Sequence, residues 1–244
     1  MAVGSRLRMI GGPNGSGKST LLEYLSHLAA DEHFPLGFVQ NPDAIQKEIL
    51  GTKRLFLGAW GVNTSHDEFV SFVRKHALSP RLRADLPKID GNALVFTEVE
   101  ILGYFIPILC DFFRQQWISS GESFTFETVM SGSDKLEVLK QAKKYQYRTY
   151  LYYICTDDVA INEARISNRV EQGGHSVPKD KVTGRYARSL GQLATAIKAV
   201  DRAYLFDNSG KAHRLIGTFE GGLVREIFGN SQPRWFIEGA LDKL

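Results

Sequence analysis

A chain of 244 residues with 43% hydrophobic and 23% charged content is an ordinary soluble globular composition, enough for one generous α/β domain or two small ones. Its net charge of +3 is too small to argue for nucleic acid as a partner. The two cysteines, Cys110 and Cys155, sit inside apolar runs and read as buried reduced thiols, and the six histidines show no metal-ligand spacing.

In chain order, Arg6 to Ile10 predicts a first strand; Met1 leads almost directly into it with no signal peptide, which predicts a cytoplasmic protein. Gly12, Pro13, Asn14, Gly15, Ser16, Gly17, Lys18, Ser19 and Thr20 follow. They satisfy the phosphate-binding loop pattern: a Gly, four free positions, then Gly-Lys-Ser/Thr. The chemistry needs these types. Glycines let the backbone curl so that N–H groups face phosphate oxygens, and the next helix adds its positive end. Lys18 reaches the β- and γ-phosphates, and the Ser19 hydroxyl serves a Mg²⁺ ion. Leu21, Leu22, Tyr24, Leu25 and Leu28 recur at helical spacing, as that motif requires.

Leu36 to Val39 predicts a second strand, closed by a turn at 40–43 that starts a helix. Asp43 there is either that helix's cap or a carboxylate placed to take a proton from an attacking hydroxyl. Between residues 51 and 92 the periodicity degrades, with aromatics scattered among seven basic and four acidic residues. This stretch reads as an insertion whose basic face is either solvated or a docking surface for an anion. From Val95 through Val99, Leu102, Ile106, Leu109 and Phe113 to Trp117, one apolar stripe predicts a long core helix with Pro107 as a kink. Its apolar run, flanked by charges, is too short to span a membrane.

Ser123 to Met130 alternates as a strand, with Glu127 a surprising acid within it: a buried carboxylate is costly without a partner. A helix to Tyr145 follows, then a strand from Tyr150 to Cys155. Asp157 and Asp158 come next, as helix caps or as acids serving Mg²⁺ through water. A helix to Glu171, a break at Gln172 to His175, a helix from Pro178 to Val200 and a strand from Ala203 to Asp207 complete the alternation. Arg214 to Gly217 predicts an edge strand, and Trp235 to Leu244 a closing helix. The expected fold is a single α/β domain, 1–244, with a mostly parallel sheet and helices on both faces.

The phosphate loop does not by itself separate kinases from switches, motors or transporters. No transporter LSGGQ signature and no guanine-reading Asn/Thr-Lys-x-Asp element occurs. Instead, Arg165 and Arg169 lie four apart before the Gly173-Gly174 break, and Arg185 and Arg188 three apart after it. Two arginine-bearing helices around a glycine hinge, within 169–188, suit a lid that closes on a transferring phosphoryl group. Exposed helices whose arginines pair with nearby acids are the plainer alternative.

Together these pieces resemble the zeta-toxin family of P-loop kinases, in the branch labelled predicted ATPases. The matching residues are 12–20 (GPNGSGKST), 41–43 (NPD), 126–132 (FETVMSG), 169–178 (RVEQGGHSVP), 185–190 (RYARSL) and 207–209 (DNS). The resemblance implies a P-loop kinase fold and cytosolic phosphoryl transfer from ATP with Mg²⁺. Its acceptor would be a hydroxyl of a nucleotide sugar such as UDP-N-acetylglucosamine, and its partner an antitoxin protein. It further implies Asp43 as catalytic base, Glu127, Thr128 and Arg188 on the substrate, and Arg169 and Arg185 on the phosphates. One departure is Val129, where family members often carry Thr. Two other readings of the residues stand beside this one: a small-molecule or antibiotic phosphotransferase, and an ATPase switch with no acceptor.

Overall fold

The computed structural model describes residues 4–31, 35–83, 85–99, 102–172 and 177–244. Its elements in order are β1 (Arg6–Gly11), α1 (Lys18–Asp31), β2 (Phe38–Gln40), α2 (Pro42–Thr52), β3 (Arg54–Phe56) and α3 (His66–Lys75). Then come β4 (Lys88–Asp90), β5 (Ala93–Val95), α4 (Leu102–Ser120), β6 (Phe124–Thr128), α5 (Asp134–Lys144), β7 (Arg148–Cys155) and α6 (Val159–Glu171). The chain ends with α7 (Lys179–Ala199), β8 (Arg202–Asp207), β9 (Arg214–Glu220), β10 (Leu223–Ile227) and α8 (Arg234–Gly239). The chain divides into two compact units, one of residues up to Leu36 with Thr125–Leu244, the other Gly37–Phe124.

In the larger unit the sheet runs β10-β9-β8-β7-β1-β6. β1 pairs parallel with β7, and β7 with β8, while β9 and β10 close the edge antiparallel. β1 is central for a reason visible in its side chains: Leu7, Met9 and Ile10 are fully buried. Helices flank the sheet, and α7 turns Val182, Leu193, Ala196 and Ile197 inward at helical spacing. Parallel strands align their carboxyl ends. The phosphate loop after β1, Thr156 after β7 and Asn208 after β8 therefore open from one edge of the sheet.

The expected edge strand at 214–217 is the start of a longer hairpin. Gly221 and Gly222, with φ of +58° and +83°, turn β9 into β10, a strand that the sequence reading did not contain. The closing helix is also shorter than expected: α8 stops at Gly239, and a 3₁₀ turn covers Leu241–Lys243.

The smaller unit holds a three-stranded antiparallel sheet, β3-β5-β4, beside α2, α3 and α4. The expected insertion, 51–92, lies inside it and carries regular structure of its own. The expected long helix begins late, since Val95 belongs to β5 and α4 starts only at Leu102. An apolar stripe that continues from strand to helix cannot mark the boundary between them. Aromatic rings fill this unit. Phe38 stacks on Trp117 at 5.4 Å and 3°, Phe69 meets Phe105 and Phe112 edge-on, and the Trp117 indole N–H donates to the Trp60 carbonyl at 2.6 Å. Each such ring pair adds on the order of 1 kcal/mol beyond the area it buries.

Candidate phosphate-binding site

The loop between β1 and α1 is shaped by glycines that no other residue could replace without strain. Gly12 has φ +150°, and a Cβ there would stand 2.1 Å from the Ile154 carbonyl oxygen. Gly17 has φ +101°, and its Cβ would meet the Asn208 amide at 2.3 Å. Two asparagines grip the loop's carbonyls. Asn162 Nδ2 donates to Asn14 O at 2.7 Å, and Asn208 Nδ2 donates to Ser16 O at 2.8 Å. Asn162 is fully buried and is itself held by the Thr156 hydroxyl. These two amides went unassigned in the sequence reading. Asn208 stood in a quoted motif with no role, and Asn162 is one polar residue among several on α6, betrayed only by its burial.

Lys18 is half-buried and donates from Nζ to Pro13 O at 2.8 Å. Burial lowers its pKa to about 8; the Glu127 carboxylate opposes that shift and the Arg169 guanidinium adds to it. Ser19 Oγ donates to Glu127 Oε2 at 3.1 Å. Ser16 is fully buried, and its hydroxyl has no hydrogen-bond partner among the described residues.

These features fit a bound polyphosphate. The loop is tight enough to exclude a Cβ at Gly12, Gly15 and Gly17, a buried hydroxyl awaits an acceptor, and two cations, Lys18 and Arg169, lie close enough to affect each other. The Ser19 hydroxyl beside a carboxylate is also the hard-oxygen set that Mg²⁺ favours. Among the described residues no group of three or more His, Cys, Asp or Glu is placed to hold a metal ion.

The other expected residues are placed as follows. Arg185 Nη1 reaches Asn14 Oδ1 at 3.4 Å, so α7 delivers a guanidinium to the loop. Arg169, exposed at the end of α6, acts electrostatically on Lys18. Arg165 donates to Gly210 O at 3.4 Å, and Arg188 is exposed and lies back along α7 against Gly184. Gly173 and Gly174 lie outside the described residues. Thr128 Oγ1 accepts from Met130 N at 3.0 Å and so supports the left-handed turn at Met130, φ +53°. Glu127 stands on the donor side by virtue of its bond to Ser19. Asp43 is exposed in the first turn of α2, whose cap is Asn41; the Asn41 side chain accepts from the Asp43 and Ala44 amides. Asp158 caps α6 by accepting from Ala160 N, and Asp157 accepts from Trp235 N. Cys155, at the end of β7, is buried, which raises its thiol pKa to about 12 and leaves it inert.

No known protein-family profile matches the chain. A stretch of 63 residues is 40% identical to an uncharacterized protein of Haemophilus influenzae, over 26% of this chain and 45% of that one. The solved structure of AvrRxo1-ORF1:-ORF2 with ATP aligns over 92% of this chain at a TM-score of 0.56 and 13% identity. This chain spans 61% of that protein's length. The PezAT chromosomal toxin-antitoxin system of Streptococcus pneumoniae aligns over 98% of this chain and 83% of its own, at a TM-score of 0.54 and 11% identity. With the mostly parallel sheet and its phosphate loop, these likenesses define a P-loop kinase fold. That fold is shared with the AvrRxo1-ORF1:-ORF2 and PezAT structures.

Proposed function

We propose that the protein is an ATP- and Mg²⁺-dependent phosphotransferase that adds the γ-phosphate to a hydroxyl of a nucleotide sugar, UDP-N-acetylglucosamine-like, as the toxin of a toxin-antitoxin pair in the cytoplasm. The observation that carries the transferase reading is the convergence of Lys18, Ser19, Glu127, Arg169 and Arg185 around one glycine loop. A pure binding loop has little use for cations delivered from two further helices, whereas a transferring phosphoryl group spreads charge that they can meet. The nucleotide-sugar acceptor and the toxin role rest on the motif resemblance. They gain support from a likeness to a toxin-antitoxin protein and to one solved with ATP. Among the described residues no helix is long and apolar enough to cross a membrane, in keeping with that setting.

In this reading, Mg²⁺-ATP supplies an activated phosphoryl group with part of its charge neutralised. Lys18 holds the β- and γ-oxygens, and Ser19 and Glu127 face the metal side. Arg169 and Arg185 meet the charge that develops as the β–γ P–O bond breaks. Asp43 takes the acceptor hydroxyl's proton as the new O–P bond forms. Arg169 at the end of α6 and Arg185 on α7 are the lid arginines of this reading, positioned to close on the transferring group and exclude water. The motif resemblance also assigns Glu127 and Thr128 to the acceptor, so in this reading Glu127 serves both the metal side and the substrate.

The test incubates the protein with Mg²⁺-ATP and a panel of UDP-sugars, nucleosides and aminoglycosides, then uses mass spectrometry to find the gain of one phosphoryl group. The expected product is a phosphorylated UDP-sugar. A phosphorylated aminoglycoside instead would overturn the acceptor class, and ATP consumption with no phosphorylated acceptor would overturn the transferase reading. Growth arrest on expression that Lys18→Ala relieves is expected of a toxin; an arrest unchanged by it would sink that role.

A further inference from the structure

Among the described residues, two hydroxyl hydrogen bonds tie α7 to β7 and the residue that follows it. In the interior, the Tyr153 and Ser189 hydroxyls share a bond of 3.0 Å, and both residues are fully buried. One turn nearer the start of α7, the Tyr186 hydroxyl donates to the Thr156 carbonyl at 2.6 Å. Tyr186 is half-buried, and burial holds its phenol above the ordinary tyrosine value, so it stays a neutral donor.

This second tie closes a circuit. Thr156, whose carbonyl Tyr186 holds, passes its own hydroxyl to the Asn162 side chain, and Asn162 Nδ2 donates to Asn14 O at 2.7 Å. Arg185 is the chain neighbour of Tyr186, and its Nη1 returns to Asn14 Oδ1 at 3.4 Å. Four hydrogen bonds and one peptide link thus run from the phosphate loop through α6, the end of β7 and α7 back to the same loop residue. Thr156 and Asn162 are fully buried, so neither can move off its partner without leaving a polar group unsatisfied. The longest link is the one at Arg185. A guanidinium on a 3.4 Å contact can turn to a phosphate oxygen while its helix stays where Tyr186 fixes it. An arginine side chain is long and rich in rotamers, so its head arrives in one place only if its root is held.

We propose that the Tyr186 hydroxyl is a positioning group for phosphoryl transfer: it sets the root of Arg185 beside the phosphate loop and acts through that arginine. This rests on the phosphotransferase reading above. There Arg185 meets charge that develops only as the β–γ bond breaks. A misplaced root is therefore felt in kcat and little in the affinity for ATP.

The experiment measures steady-state Mg²⁺-ATP turnover for Tyr186→Phe, Arg185→Ala and the double variant, with Ser189→Ala as a control that cuts the other tie. Tyr186→Phe removes one hydroxyl and keeps the ring. Its kcat should fall about tenfold while KM for ATP stays within about twofold of the parent. Arg185→Ala should lose about a hundredfold or more in kcat. The double variant should match Arg185→Ala to within about twofold, because an absent arginine needs no positioning. Ser189→Ala should unfold at a lower temperature yet keep kcat within about twofold of the parent. A normal kcat in Tyr186→Phe beside an impaired Arg185→Ala would overturn the proposal and leave the phosphotransferase reading standing. So would losses that multiply in the double variant, or an equal loss of kcat in Ser189→Ala, which would make both ties mere support for α7. No ATP turnover by the parent, or a normal kcat in Arg185→Ala, would overturn the role of Arg185 in transfer and this proposal with it.

Discussion

Asn14 in the larger unit and Asp43 in the smaller one show two ways of placing a polar group near the start of a helix. Asn14 is gripped on its carbonyl by a fully buried asparagine and on its side chain by Arg185. Asp43 has its backbone N–H capped by Asn41, and its carboxylate stands exposed on a helical turn. Cross-bracing of the first kind fixes a geometry locally, since each donor and acceptor has a counterpart that would be left unsatisfied by movement. The second kind inherits its position from the helix beneath it. α2 in turn is anchored by Ile45 and Ile49, buried in a unit whose interior is built on rings. Substitutions should therefore separate cleanly: cutting the loop's braces damages nucleotide binding, while removing Asp43 damages transfer and little else.

The largest expected effect is that of Asp43→Ala. If Asp43 is the general base proposed above, its loss costs about 10²–10⁴ in transfer rate, while ATP affinity stays within about twofold, because the side chain is exposed. Single-turnover transfer measured beside equilibrium ATP binding distinguishes the two. Near-normal transfer would remove Asp43 from the mechanism and leave the contrast with Asn14 without functional content.

Next in size is Trp117→Ala. The indole is fully buried, stacks on Phe38, contacts Phe124 and donates to Trp60 O, so its removal should cost about 3–5 kcal/mol in urea unfolding. A loss under about 1 kcal/mol would mean that the smaller unit is not held by its rings. Asn208→Ala follows, at about 1–3 kcal/mol in ATP binding, since it strips the donor from the buried Ser16 carbonyl. Asn208→Asp, which keeps the size but not the N–H donors, should behave like the alanine variant. Recovery in the aspartate variant would show that shape, rather than the hydrogen bond, holds the loop.

How far the sequence disclosed this molecule follows from the same contrast. The loop was legible residue by residue, because Gly12, Gly17, Lys18 and Ser19 are dictated by sterics and charge at fixed spacing. The strands β1, β6, β7 and β8 were legible because each is a short apolar run between turn residues. Asn162 and Asn208 were not, since a buried hydrogen bond joining residues 148 or 192 positions apart leaves no local pattern. The start of α4 was misplaced because Val95 and Val99 continue its stripe by coincidence of spacing, although Val95 pairs in β5. β10 was missed because all five of its residues are exposed, so it lacks the alternation that burial imposes on one face. Across 51–92 the elements are three or four residues long except for α3, too short for any period to assert itself.

The smallest effect concerns Lys18 itself, and its sign is fixed by the direction of the shift. The ordinary lysine value is 10.5 and the folded one about 8. Below pH 8 the ammonium is charged in both states, and its desolvation cost is fully present. Between about 8 and 10.5 the unfolded chain still holds a proton that the folded chain has released, so stability rises with pH through that window and levels off above it. Thermal unfolding without nucleotide, compared between the parent and Lys18→Met, should show the parent gaining on the variant by an amount on the order of a few degrees from pH 8 to pH 10. Phosphates seated in the loop favour the ammonium, so ATP binding should take up protons near pH 8, visible in the parent as a dependence of binding heat on buffer ionisation enthalpy. A parent that neither gains on the variant nor takes up protons would place Lys18 in a wetter site than its contacts with Pro13 and Glu127 describe. In that case the loop would owe less to mutual bracing than Asn14 suggests.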